Sequence, residues 1–270
     1  MSITRVSGQS TGVSDNATGD TLTVAFPNHV TSGNLIVIGV AVSDGTATIT
    51  KNAGSATLGT ITQDAYFSAN DYESIPQSIT IFSAPVTGSG DCTMQFQEQG
   101  TAGYSSIALQ EYTGADVSAT RVDGTSTGSG TSLTPATGTV TAPSQGGAFF
   151  GGLAYNNEGD ATYSYGPGYS NVYGTSNGAD YLPCSFEDHI TSSGDTSSAS
   201  WTITGITAEP WAAALVVYKA TGGGVVTSTY DTPYIYVGGQ WQTVIGAYRY
   251  DGSAWETAKT CQEYISGTWQ

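Results

Sequence analysis

The sequence Leu35-Ile-Val-Ile-Gly-Val-Ala-Val42 is an unbroken apolar run, rich in β-branched residues and short for a helix. This pattern is typical of a central β-strand that is buried on both faces. Before and after the run, apolar and polar residues alternate over residues 22–26 and 92–96, as in strands with one buried face. Further strand-like segments occur at residues 79–82, 107–112, 148–155, 201–204 and 212–218. No segment has a helical pattern, so the sequence predicts an all-β protein.

Composition agrees with a folded β protein that has many turns. The 270 residues include 36 Gly, and hydrophobic residues make up 38% of the chain. Charged residues are only 10%, against about 25% in typical globular domains. The net charge is −16, and the few bases are scattered. We therefore expect neither nucleic-acid binding nor binding to an anionic membrane, because both need clustered Lys and Arg. The bases are Arg5, Lys51, Arg121, Lys219, Arg249 and Lys259.

The two halves of the chain resemble each other. Residues 33–38 (GNLIVI) are similar to residues 146–151 (GGAFFG), and residues 107–114 (IALQEYTG) are similar to residues 213–220 (AALVVYKA). This echo fits two sets of strands in one jelly-roll-like β-sandwich, and it also fits two tandem immunoglobulin-like domains. One sandwich is favoured, because no clean linker separates the halves.

The composition changes at Gly222-Gly-Gly224, and the sequence beyond it repeats. We predict a β-sandwich body over residues 1–221, a Gly-rich linker over residues 222–230 and aromatic repeats over residues 231–270. Tyr and Trp recur with a period of 14 residues, as Tyr236/Trp241, Tyr250/Trp255 and Tyr264/Trp269.

Each repeat has the pattern of a β-hairpin with a four-residue loop, in which Tyr and Trp form a cross-strand pair. Tyr234 and Tyr248 extend the match outward, as do Thr243 and Thr257, whereas Gln262 replaces the outer Tyr in the third unit. Because the period is even, strand alternation stays in phase from one unit to the next. Three short hairpins have too little mass for an independent core. We therefore expect the tail to dock on the body, on a sister subunit or on a ligand, and we interpret the six repeated Tyr and Trp residues as docking residues.

The body contains GNLIV from Gly33, EYTGAD from Glu111, and SWTITG followed by WAAALVVYKA between Ser200 and Ala220. This order resembles a lectin-like β-sandwich module of bacteriophage virion proteins and of some bacterial surface proteins. The aromatic repeats resemble the short Tyr/Trp hairpin repeats of phage tail and capsid-decoration proteins. The resemblance implies a structural or attachment role and supplies no catalytic residue. It also implies a homo-oligomer, with a trimer favoured.

Three G-x-S-x-G matches, at Ser10, Ser126 and Ser176, could suggest a hydrolase nucleophile. A nucleophile elbow needs a strand before the serine and a helix after it. No helix is expected, so we interpret the three matches as turns. The sequence does not single out a carboxylate pair for glycoside cleavage among 22 acidic residues.

Glu187-Asp188-His189 is the one cluster of titratable residues that includes a possible general base. We interpret it as a polar loop beside a strand. Several aspartates in loop-like contexts could supply oxygen ligands for Ca²⁺, but no EF-hand pattern occurs, and solvated acids are the preferred interpretation. We expect no cofactor. These aspartates are Asp15, Asp20, Asp44, Asp64, Asp71 and Asp160.

A second aromatic cluster lies in a Gly/Asn/Ser-rich stretch, and we predict an extended surface loop there that contacts a neighbour or a sugar. Its members are Tyr163, Tyr165, Tyr169, Tyr173 and Tyr181. The three cysteines form no metal-binding spacing, and Cys92 alternates with Met94 and Phe96 as an inward core residue would.

Taken together, the sequence predicts a non-enzymatic structural protein on the exterior of a phage particle, which docks to other virion proteins. The N-terminal sequence MSITRVSGQSTG lacks the apolar core of a signal peptide, so we expect assembly in the host cytoplasm. Capsid decoration and a tail or fibre location both stay open. The alternative is a carbohydrate-binding adhesin that recognises a host surface glycan through the aromatic repeats.

Overall fold

The computed structural model describes the greater part of the chain. It divides into two compact units, Met1–Gly223 and Gly224–Gln270, here called the body and the tail. The described residues are 2–15, 21–43, 45–70, 76–100, 105–155, 161–175, 184–221, 234–237, 240–243, 248–250, 255–257, 264–265 and 268–269.

The described residues contain no helix, which confirms the all-β prediction. The first half of the body contains β1 (Thr4–Arg5), β2 (Thr11–Asp15), β3 (Thr21–Ala25), β4 (Leu35–Ser43), β5 (Gly45–Ala53), β6 (Thr57–Leu58), β7 (Thr62–Asn70), β8 (Pro76–Gly88), β9 (Thr93–Gly100) and β10 (Ser105–Thr113). The second half contains β11 (Val122–Gly130), β12 (Val140–Thr141), β13 (Gly147–Tyr155), β14 (Thr162–Tyr165), β15 (Ser170–Thr175), β16 (Cys184–Thr191), β17 (Thr196–Ser197), β18 (Trp201–Thr204) and β19 (Trp211–Lys219).

Each half forms two antiparallel layers. In the first half, β10, β4 and β8 form the centre of a sheet whose edges are β1 with β2 and β6 with β7. We call it the first inner sheet, and the sheet β3-β9-β5 is the first outer sheet. In the second half, β11-β19-β13-β16-β15 is the second inner sheet, and the pairs β12-β17 and β14-β18 are the second outer layer.

The two halves share one strand order. The order β2-β10-β4-β8-β7 corresponds strand for strand to β11-β19-β13-β16-β15. The register corresponds as well, because Leu35 pairs with Tyr112 and Ala148 pairs with Tyr218. These pairs have the same spacing as the sequence echo between the halves. The body is therefore a structural duplication.

Three apolar cores separate the four layers. The central core lies between the two inner sheets, and each outer core lies between an inner sheet and its own outer layer. Strand β4 contributes to two cores, since Leu35 and Val37 enter the central core while Ile36 and Ile38 enter the first outer core. This double burial explains why residues 35–42 are a continuous apolar run.

The body combines features of the two predicted alternatives, one β-sandwich and two tandem domains. Each half is a β-sandwich of its own, as tandem domains would be, but the two sandwiches share the central core within one compact body. Alternation predicted the one-sided burial of β3 correctly. The Gly/Ser/Thr-rich stretch after Asp123 was not predicted as a strand, yet it begins with β11, an edge strand of the second inner sheet.

No helix among the described residues is long and apolar enough to cross a membrane.

Candidate functional site: aromatic hairpins and buried carboxylates

The tail contains the six strands that the repeat predicts, in three consecutive antiparallel pairs. They are β20 (Tyr234–Val237), β21 (Gln240–Thr243), β22 (Tyr248–Tyr250), β23 (Trp255–Thr257), β24 (Tyr264–Ile265) and β25 (Thr268–Trp269). In each pair the repeated Tyr lies directly opposite the repeated Trp: Tyr236 opposite Trp241, Tyr250 opposite Trp255 and Tyr264 opposite Trp269.

The loops differ in length from the prediction. The ladder continues past the aromatic pair to Val237–Gln240 in the first hairpin and to Ile265–Thr268 in the third. Two residues, rather than four, therefore separate the last paired positions of these hairpins. Gly-Gly and Ser-Gly occupy these two positions in the sequence, and they lie outside the described residues.

Each hairpin is a separate two-stranded sheet among the tail residues that the structure describes. An isolated two-stranded hairpin is marginally stable in water at best. The pairing that the repeat predicts is thus present three times, and the docking role of the six aromatic residues stays a prediction.

The body carries its own group of candidate residues, beginning with Asp188. Asp188 lies in β16 and is fully buried in the structure, on the side of the second inner sheet that faces the first. Tyr112 donates a hydrogen bond from Oη to Asp188 Oδ2 over 2.6 Å, and Arg5 Nε donates to the same oxygen over 2.6 Å. Both donors belong to the first sandwich, so this cluster joins the two halves. Burial raises the pKa of Tyr112, and the nearby Arg5 charge opposes that rise.

In a second cluster the two sandwiches exchange roles, and its centre is Asp64, a residue of β7 in the first sandwich. Tyr218 of the second sandwich donates to Asp64 Oδ2 over 2.7 Å, and Ser83 Oγ also donates to this carboxylate. Arg121 Nε in turn donates to Ser83 Oγ over 2.6 Å. Burial raises the pKa of Asp64, against the hydrogen bonds from Ser83 and Tyr218. Each sandwich therefore supplies a Tyr and an Arg to an acidic cluster of the other.

A third carboxylate, that of Glu111, is fully buried and holds a loop of the first sandwich. Its Oε1 accepts hydrogen bonds from Thr31 N and Asn34 Nδ2, both over 2.7 Å. Its Oε2 accepts one from Gln9 Nε2 over 2.8 Å. Buried carboxylates need such donors, because an unpaired charge in an apolar interior is strongly unfavourable.

The fourth, Glu187, belongs to the cluster that the sequence singled out. Glu187, Asp188 and His189 lie within β16, so the prediction of a polar loop is wrong. Strand alternation turns Asp188 towards the central core and Glu187 towards the second outer core. Glu187 accepts hydrogen bonds from Ser200 N over 2.9 Å and from Gly166 N over 3.4 Å. Burial raises the pKa of Glu187 to about 8, although these two backbone donors lower it.

His189 points to the same outer core as Glu187. Its ring stacks on Phe149, with centroids 5.7 Å apart, and lies 5.3 Å from the ring centroid of Tyr169. Gly168 adopts a left-handed φ of 82° directly above the imidazole. A side chain there would be strained and would crowd His189, so packing fixes the imidazole in place.

Two of the three G-x-S-x-G serines, Ser10 and Ser126, lie among the described residues. Ser126 lies within strand β11, and Ser10 immediately precedes β2 and donates a hydrogen bond to Gln110. Ser176 lies outside the described residues. The turn interpretation is therefore wrong for Ser126, which occupies an edge strand.

The aspartates considered for Ca²⁺ do not form a site within the described residues, where no group of three potential metal ligands occurs. Asp64 lies in a strand and is engaged with Ser83 and Tyr218, and Asp15 ends β2. The remaining four, Asp20, Asp44, Asp71 and Asp160, lie outside the described residues.

The second aromatic cluster is not an exposed loop. Tyr163 and Tyr165 lie in β14 and pack with Tyr169 against the second outer core, where Tyr169 is only 9% exposed. Tyr173 lies in β15 and packs against the central core. Tyr181 lies outside the described residues. These tyrosines hold the sandwich together, so a recognition role for them as a surface loop is wrong.

The inward orientation of Cys92 is confirmed, because Cys92, Met94 and Phe96 are all buried in the first outer core. Burial raises the pKa of the Cys92 thiol to about 11. Cys184 lies in a different core, the central one. Cys92 and Cys184 therefore do not form a disulfide with each other. Cys261 lies outside the described residues.

Sequence reasoning missed the reciprocal Arg–Tyr–acid clusters. A signal was present, since Tyr112 and Tyr218 occupy matching places in the two echoed segments. Arg5 and Arg121 also belong to a set of only six bases. Scattered bases in so acidic a chain can indicate individual structural ion pairs.

Comparisons of the chain with protein-family models, curated protein sequences and solved structures give no match.

Proposed function

We propose that the protein is a non-enzymatic structural protein of the exterior of a phage particle, in which the tail hairpins dock to another virion protein. The observation that carries the proposal is the threefold pairing of Tyr with Trp at the same place in three successive hairpins. Tyr and Trp are the residues that most often anchor protein interfaces. Three equal units would present the same anchor pair three times, which raises avidity without any new kind of contact.

The close packing of the body also supports a structural role. Its four clustered carboxylates, of which three are fully buried and Asp64 is partly buried, all accept hydrogen bonds from neighbouring side chains or backbone, and two of them tie the sandwiches together. Groups held in this way stabilise a unique packing arrangement when their partners are satisfied. The resemblance of the body to lectin-like modules and of the repeats to phage hairpin repeats gives the virion setting.

Particle occupancy tests the proposal. The variant W241A/W255A/W269A should leave the thermal unfolding of the body unchanged and should reduce labelling of assembled particles at least tenfold. Labelling is measured by electron microscopy with an antibody against the body. The matched control is T243A/T257A/T268A, which alters a residue in the same three strands and should leave labelling intact. Full occupancy by the tryptophan variant would refute tail docking.

Glycan recognition is the second candidate, and the same aromatic pairs favour it, because Tyr and Trp combine a large apolar ring with a polar tip. It predicts saturable binding of the full chain to a cell-surface glycan, lost in the tryptophan variant and retained in the threonine control. Loss of particle docking without any glycan binding would leave only the structural role.

A further inference from the structure

Strand β5 lies at the edge of a sheet and includes a regular, uncharged segment. It pairs only with β9 and forms one edge of the first outer sheet among the described residues. It spans nine residues, and its segment 46–50, Thr-Ala-Thr-Ile-Thr, contains no charge and no proline. The one irregularity in its register comes later, between Lys51 and Ala53. A regular and uncharged edge segment is a template for pairing with another strand, whereas Lys51 and the bulge that follows it disfavour pairing at the far end of β5.

Three other edge strands are short or bulged. Strand β3 has only five residues, and β7 is bulged between Gln63 and Ala65, where Asp64 adds a charge. Strand β15 is bulged between Asn171 and Tyr173. These are the devices by which natural sheets avoid edge-to-edge association.

Strand β11 is protected in another way. Its register is broken between Val122 and Gly124, and Gly138 N donates a hydrogen bond to Thr127 O from outside the sheet. Gly128 also lies so close to Ala136 O that no side chain fits there. A neighbouring segment therefore covers this edge. Residues 45–50 of β5 instead form a regular and uncharged edge segment of the described body, and the bulge of that strand lies beyond them.

The segment 46–50 is complementary to itself. Thr46, Thr48 and Thr50 are exposed on the outer face, and Ala47 and Ile49 are buried on the inner face. If two such segments pair antiparallel about Thr48, Thr46 meets Thr50 and Ala47 meets Ile49. Every outward hydroxyl then faces a hydroxyl, and every inward apolar side chain faces an apolar one. Such cross-strand pairs stabilise antiparallel sheets.

Charge also favours this edge. Two copies of a chain with a net charge of −16 repel each other. Contact through an uncharged segment avoids bringing acidic side chains directly together. We propose that two copies of the chain associate through their β5 edges about a twofold axis at Thr48, so that their first outer sheets become one continuous sheet.

Sedimentation equilibrium of the full chain tests this proposal. The wild type should sediment at twice the 27.7 kDa mass of the chain. Thr48→Lys places two ammonium groups opposite each other on the axis and should raise the dissociation constant at least tenfold. Thr23→Lys, on the same outer face but in β3 at the opposite edge, is the matched control and should leave the dimer intact. A wild-type monomer, or equal effects of the two lysines, would overturn the proposal.

A charge pair tests the register. The variant T46E/T50K should dimerise at least as well as the wild type, because each Glu faces a Lys of the second copy. The variant T46K/T50K should dissociate, although its net charge is less negative and general repulsion is therefore weaker. Equal dissociation constants for the two variants would exclude the antiparallel register about Thr48.

Crosslinking separates this interface from any association through the tail. In a Cys261→Ser background, Thr48→Cys should form a disulfide-linked dimer on mild oxidation, because the two cysteines lie opposite each other on the axis. Thr23→Cys should not. A trimer without the Thr48→Cys crosslink would support a different assembly and reject this one.

Discussion

The two sandwiches of the body have one topology and two different outer cores. In the first, a continuous three-stranded sheet covers aliphatic residues and Phe82. In the second, two separate strand pairs cover a core rich in Tyr and Trp. By the shared register, Glu187 occupies the place of Phe82, and His189 occupies that of Ala84. The same strand order therefore tolerates an apolar or a polar and aromatic filling, provided that each buried polar group finds a partner.

The two inner sheets, which enclose the central core, resemble each other more than the two outer cores do. Each inner sheet supplies a tyrosine, Tyr112 or Tyr218, from the matching position of the second strand from its edge to an acid of the other sheet. Glycines also match, since Gly39 and Gly152 both lie against the ring of Phe186. The interface thus limits variation more than the outer cores do, because residues from both halves must fit it at once.

The largest expected effect on the free energy of unfolding comes from the Asp188 cluster, and it should exceed the effect at the Asp64 cluster. Asp188→Asn should lower the free energy of unfolding by about 3 kcal/mol, because it removes the charge of a fully buried carboxylate that pairs with Arg5, whose side chain is 29% exposed. Asp64→Asn should cost about 1 kcal/mol, since this aspartate is less buried and burial already opposes its ionisation. Urea unfolding of both variants measures the difference. Equal losses would mean that the clusters contribute alike.

Glycine substitutions test the fit at the centre of the interface. A Cβ on Gly39 would overlap the Phe186 ring, whereas a Cβ on Gly152 would lie 2.9 Å from it. Gly39→Ala should cost about 3 kcal/mol and Gly152→Ala about 1–2 kcal/mol, as expected for overpacked cores. Phe186→Leu should partly rescue Gly39→Ala in a double-mutant cycle. An unchanged melting temperature in Gly39→Ala would contradict the close packing described above.

The pH dependence of stability should depend on Glu187. Its pKa is about 8 in the folded chain and 4.5 in the reference state. Between these values the folded state retains a proton that the unfolded state has lost, so stability falls as pH rises. The decrease from pH 5 to pH 8 should be on the order of 3 kcal/mol.

Glu187→Gln cannot titrate at this position and should flatten the dependence of stability on pH. Glu111→Gln, at another buried glutamate in the first sandwich, is the matched control. Thermal unfolding from pH 5 to pH 8 provides the measurement. A Glu187→Gln curve parallel to that of the wild type would show that another group causes the decrease.

The smallest effect should come from removing the tail. All three cores of the body consist of residues that precede Thr221. A chain ending at Gly223 should therefore unfold within about 0.5 kcal/mol of the full chain, as do changes outside the core. A much larger loss in urea unfolding would indicate that the tail stabilises the sandwiches directly.

Much of the secondary structure follows from the sequence because strand alternation is a local signal. The apolar run at residues 35–42 gives a strand that is buried on both faces, and the Tyr-to-Trp spacing within each repeat gives the pairing of Tyr236 with Trp241. The polar edge strand β11 escaped prediction, because Gly, Ser and Thr at an edge lack the apolar alternation that indicates a strand. The tyrosines of β14 are partly buried against the second outer core, although the sequence predicts an exposed loop. The Gly, Asn and Ser residues around them are typical of loops and give no sign that the tyrosines face a core.

The sequence alone determined the all-β class, the central strands, the echo between the halves and the hairpin register of the tail. Only the tertiary structure decided that each half closes into its own sandwich and that the inner sheets pack against each other. It also brought Arg5 to Asp188, 183 residues away along the chain, and placed Glu187 in a core where its counterpart is a phenylalanine. The physical reason is that periodicity reports which face of a strand is buried. The partner that buries it depends on sheet order and layer packing, which no local pattern contains.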